Sequence, residues 1–142
     1  MTDLALICQG DGEDRVVKCH AVIVTSACKY FHTLLLGDVN NDEKESMRIV
    51  IPDATEKQML AILKYIYTKE FEVDINDVVG VWILSNKFLL EDLQIECESM
   101  IMKNINSKNV SDIKKIAEMV GSKRILEVCE DVENKDVHGV AK

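Results

Sequence analysis

Cysteine and histidine four residues apart make the pair with the most chemical potential in this chain. Cys28 and His32 would share one face of a helix, where an imidazole can take the proton of a thiol or where sulfur and nitrogen supply half of a zinc site. A hydrolase also needs an acid to orient the imidazole, and a zinc site needs a second pair at ligand spacing. No such second pair follows, and no metal or cofactor is expected. His20 stands alone between an apolar run and a helical pattern, where its ring suits backbone groups left open by a turn better than a reaction. Asp38, Asn40 and Asp42 imitate the alternate oxygens that open a calcium loop. The required glycine and closing glutamate are replaced by Glu43 and Ile49, so this is an acidic loop able to steer a basic partner.

The chain that positions these residues has 142 amino acids, enough for one domain with a substantial core, and 47% of them are apolar. A net charge of −8 with dispersed lysines and arginines argues against nucleic acid, because a phosphate backbone would be repelled. No run approaches the roughly 18 apolar residues of a membrane helix, and no basic leader precedes one. Cys8, Cys19, Cys28, Cys97 and Cys129 are odd in number and lack a CxxC pair, as expected for buried thiols in the reducing cytoplasm or nucleus.

Leu4–Cys8 and residues 16–19 are apolar runs separated by a polar, glycine-bearing turn, hence a hairpin. Residues 47–51 read as a β-branched strand stopped by Pro52, the only proline. From Thr55, a suitable N-cap, the period becomes helical with Met59, Ile62, Leu63 and Ile66 on one stripe. Further helices are predicted from Asn76 or Asp77 to Phe88, over 92–105, over 107–120 with Gly121 as its stop, and over 122–132. Trp82 and Met100 lie on apolar stripes and belong in the core. Met102 falls off its stripe, while Glu91, Asp92, Glu96 and Glu98 look like an exposed flank. Strands first and helices after imply an α+β fold, a small sheet covered by helices.

Four ordered segments resemble the BTB/POZ domain. They are residues 3–7 opening a strand, His20 with Tyr30 and Phe31, then Ile51, Pro52 and Asp53 before a helix, and 62–68 followed by Lys69 where glycine is common. The resemblance implies a domain over 1–105, a helical extension of the 3-box or BACK type over 106–132, and a flexible tail over 133–142. It implies a non-enzymatic protein-interaction module that docks on a cullin-3-type scaffold of a RING ubiquitin ligase, as adaptor for a target protein or as competitor. The alternative is an oligomerisation scaffold with no ligase role.

The scaffold contact would fall on Leu36, Val39, Asn41 and Glu43, although Asn41 occupies the glutamate place of the family's hydrophobic-x-Glu motif. Ala21 replaces the basic residue that transcription-repressor members carry after the histidine, which disfavours that role. With Asp3 as the third residue, the usual exchanged N-terminal strand has no room, and a weak homodimer or monomer is expected.

Overall fold

The computed structural model describes residues 3–36 and 47–141, with side chains at 3–34 and 48–134. Its contacts divide into two units, residues 1–94 and 95–142.

In the first unit, β1 (Leu4–Cys8) is the central strand of a three-stranded sheet of order β2-β1-β3. β2 (Arg15–Cys19) runs antiparallel to it and β3 (Met47–Ile51) parallel. The register pairs Leu6 with Val17 and Ile49 on one face, and Ile7 with Val16 and Val50 on the other. Leu4, Leu6, Cys8, Val17, Cys19, Ile49 and Ile51 are buried, so the first face lies on the core. Val16, Lys18, Arg48 and Val50 border Ala5 and Ile7 on the outer face and are exposed. The inward/outward alternation along β2 and β3 is the two-residue period of a sheet with one wet side.

α1 (Ala21–Ala27) and α2 (Lys29–Leu36) follow β2, and α3 (Glu56–Thr68) follows β3. The Thr55 hydroxyl accepts from the Gln58 amide while the Gln58 side chain accepts from the Thr55 amide, a reciprocal cap that starts α3. Met59, Ile62, Leu63 and Ile66 are buried, as their spacing requires. α4 (Val78–Lys87) opens at Asp77, as the sequence suggests, but without a side-chain cap. The Asp77 carboxylate instead lies 3.3 Å from the Lys57 ammonium, which also holds Asp74 at 3.0 Å. Trp82 and Phe88 are fully buried.

α5 (Glu91–Asn104) contains the boundary between the units, and α6 (Val110–Val120) and α7 (Lys123–Ala141) lie in the second. α6 starts three residues later than its apolar pattern suggests. The Asn106 side chain accepts from the Lys108 and Asn109 amides and Asn109 returns a bond to the Asn106 amide, a local turn that outcompetes the first helical turn. Gly121 ends α6 at φ 78°, the left-handed cap anticipated for it. α7 continues nine residues past its last expected position, Val132.

Two expectations in this unit need correction. Glu98 is 5% exposed rather than on a wet flank, because the Ser122 hydroxyl donates to its carboxylate at 2.8 Å and Arg124 approaches at 3.7 Å. Met100 and Met102 are both half-buried, since their positions lie on the margins of the stripe formed by Cys97 and Ile101.

α3 ends at Lys69 in the left-handed region, φ 63°, with its amide bonded to the Tyr65 carbonyl. A side chain there is strained where glycine is not, and Lys69 offsets only part of this by resting its ammonium 5.6 Å from the Tyr65 ring. Lys69→Gly is expected to stabilise the chain by about 0.5–1 kcal/mol. Urea unfolding would show a higher midpoint, and a lower one would mean that the cation–ring contact outweighs the strain.

Candidate protein-interaction surface

His20 and Asp3 join the sheet to the helices. The Asp3 carboxylate accepts from the Ala21 amide at 2.8 Å and so holds the start of α1, where helix amides lack backbone partners. The Tyr67 hydroxyl, 47 residues beyond His20, accepts from the His20 amide and lies 2.9 Å from Nδ1. One hydroxyl thus ties down both the backbone and the ring of His20. His20 therefore serves as a structural joint.

Cys28 and His32 do not meet as a catalytic pair. The Cys28 thiol is buried and donates to the Phe88 carbonyl oxygen at 3.1 Å, while the His32 side chain is exposed. Burial pushes the Cys28 thiol up from its ordinary value and raises Cys8 and Cys19 to about 11 and Cys97 to about 12. These thiols stay protonated at neutral pH and lack the thiolate that nucleophilic chemistry needs. Among the described residues no three His, Cys, Asp or Glu side chains gather as metal ligands.

Of the anticipated scaffold contacts, Leu36 closes α2 and its side chain is outside the described set. Val39, Asn41 and Glu43 lie outside the described residues altogether.

The described surface offers instead a shallow groove of about 270 Å³, lined by Lys18 and Cys19 of β2, by His20 just after it, and by Leu60, Leu63, Lys64 and Tyr67 of α3. Leu60 is 51% exposed and Tyr67 39%. Leu60, Lys64 and Tyr67 follow i, i+4, i+7 spacing, a second face of α3 beside the buried stripe. Sequence reasoning passed over it because Leu60 adjoins the core positions and reads as one of them. The signal available was an apolar stripe wider than the core needs.

The β2 edge beside this groove has no neighbouring strand among the described residues. The Gln9 amide donates to Ile51 on β3, so alternation turns the backbone groups of Cys8, Leu6 and Leu4 toward β2. Their partners Arg15, Val17 and Cys19 thus bond to β1, and the amide and carbonyl of Val16 and Lys18 point away from the sheet. On β2 the Cys19 carbonyl, which accepts from the Asp3 amide on the β1 side, and the His20 amide, which turns away to Tyr67, fit the same alternation. What this arrangement can do is bind: it presents hydrogen-bonding backbone, apolar side chains and a lysine.

Comparison with known proteins agrees with this. Residues 1–105 match the BTB/POZ domain model. Human Kelch-like protein 22 is 23% identical over 88% of this chain and 19% of its own length. Kelch-like protein 40b of Danio rerio is 25% identical over 87% of this chain and 20% of its own. The chain thus spans about a fifth of the length of these curated relatives. The solved BTB domain of human gigaxonin superposes with a TM-score of 0.57 at 21% identity, covering 70% of this chain and 76% of that one. Domains of this kind are in general interaction modules rather than enzymes. On the match over most of its length, the chain belongs to the BTB/POZ domain family.

Proposed function

We propose that the chain docks on a cullin-3-type scaffold of a RING ubiquitin ligase, in the cytoplasm or nucleus, as adaptor for a target protein or as a competitor. The observation that carries this reading is the BTB/POZ match over residues 1–105 together with relatives of the Kelch-like class. Leu36, Val39, Asn41 and Glu43 form the contact, and residues 107–132, the extension of the 3-box or BACK type, widen it. Self-association is weak.

Val39 stands in a polar stretch, so it contributes little to folding, whereas burying it against a partner adds about 1–2 kcal/mol. Val39→Lys is expected to weaken binding to a cullin-3 N-terminal domain about tenfold, and Asn41→Glu, which completes the hydrophobic-x-Glu motif, to strengthen it. Calorimetry on folded variants decides. Affinity indifferent to both removes this contact and leaves the second reading, an oligomerisation scaffold, which Asn41 in place of glutamate already favours.

A further inference from the structure

We infer that the free edge of β2 and the facing stripe of α3 form a docking groove for an extended segment of another protein, in which apolar and acidic residues alternate. This groove is separate from the scaffold contact proposed above, which rests on residues 36–43.

Three properties of the site define the occupant. The amide and carbonyl of Val16 and Lys18 point away from β1 along the open edge that Lys18 shares with the groove, so an added strand would bond to them as to a fourth strand of the sheet. Tyr67 caps the His20 amide and ends the pairing there, leaving a short edge. The core-side positions of an added strand would meet Leu60 and Tyr67, apolar surface that the fold leaves exposed, above the buried Leu63.

The opposite positions would stand beside Lys18 on the outer face of the sheet. Lys18 has no carboxylate within ion-pair distance among the described residues, whereas Lys64 is already held by Glu70 and Glu72. Lys18 is thus the cation left to meet an acidic side chain. A second copy of the chain is a poor occupant, because antiparallel pairing of two β2 edges through Val16 and Lys18 would bring the two Lys18 side chains opposite or diagonal to each other. Charged edges of this sort keep a strand from pairing with itself and admit one of opposite sign.

The test is fluorescence anisotropy on the 142-residue chain with a labelled peptide of alternating aspartate and valine, against a lysine and valine counterpart. Saturable binding of the acidic peptide, at least tenfold tighter than the basic one, is expected. Lys18→Pro removes an amide that points away from β1, so the ladder survives while strand addition does not. Leu60→Lys changes a half-exposed helix position. Each should weaken the acidic peptide tenfold or more, with the native circular dichroism spectrum retained.

If Lys18→Pro disturbs the spectrum, Leu60→Lys carries the decision. Equal affinity for the two peptides, or binding unchanged by Leu60→Lys, overturns the inference. It is also overturned if sedimentation shows the wild-type chain dimerising and Lys18→Pro monomeric, since the edge would then be taken by a second copy.

Discussion

Replacing Phe31 by alanine is expected to destabilise the first unit by about 3–5 kcal/mol, the usual loss when a fully buried phenylalanine is truncated. Phe31 is completely buried and sits at the centre of an aromatic cluster, its ring 4.8 Å from Phe88 and 5.4 Å from Tyr30, which in turn lies 5.2 Å from Phe88. The cluster ties α2 to the end of α4, where the Cys28 thiol already bonds to the Phe88 carbonyl. Alanine would leave a cavity that the flanking rings cannot fill without losing their edge and tilted contacts. The midpoint of thermal unfolding should fall by roughly 10 °C or more, taking about 3 °C for each kcal/mol in a chain of this size. A fall of only a few degrees would mean that Tyr30, half-exposed at present, collapses into the space.

Ser122→Ala should be nearly as damaging to the second unit. The Ser122 hydroxyl accepts from the Ile125 amide and so caps α7, and it donates to the buried Glu98 carboxylate. Loss of a cap costs about 1 kcal/mol and loss of a hydrogen bond to a charged, buried acceptor about 1.5–3 kcal/mol. The expected sum is about 2–4 kcal/mol, read as a lower denaturation midpoint followed by tryptophan-independent far-ultraviolet circular dichroism. Glu98→Gln keeps an oxygen acceptor for the hydroxyl and should cost less. If the two variants unfold alike, it is the charge of Glu98 that matters rather than its bond to Ser122.

Much of this architecture is legible in the sequence. The β1–β2 hairpin, the β3 strand before Pro52 and the capped α3 could all be read, because each depends on a local period and a local stop. Phe31 was marked by its place beside Tyr30 and eleven residues after His20, though nothing local says that it meets Phe88. Glu98 was misread since its partner lies 24 residues on, at a helix start whose approach no periodicity encodes. The helix boundary at Val110 slipped because side-chain bonds among asparagines compete with the backbone on nearly equal terms.

The groove beside β2 was illegible for a further reason. Which strand edge stays open depends on the sheet order, and β1 occupies the centre only because β3 returns to its far side. Leu60, Lys64 and Tyr67 could be assigned to one helix face, but not to the neighbourhood of Lys18. The scaffold residues Leu36, Val39, Asn41 and Glu43 rest on family resemblance alone, since no spacing rule singles them out.

That return of β3 also shapes how the chain folds. β1 and β2 close across the six residues 9–14, whereas the parallel pairing of β1 with β3 must close across 9–46, a span that includes α1 and α2. Chain entropy makes the longer closure costlier by about 1.5 kcal/mol, and parallel pairing offers no tight turn to guide it. The hairpin and helices can therefore be native-like while β3 is still undocked, and docking β3 last places the rate-limiting step at the strand of highest sequence separation. Until then the β3 side of β1 is an open edge, and the strand that the finished sheet encloses between two neighbours is the one left exposed.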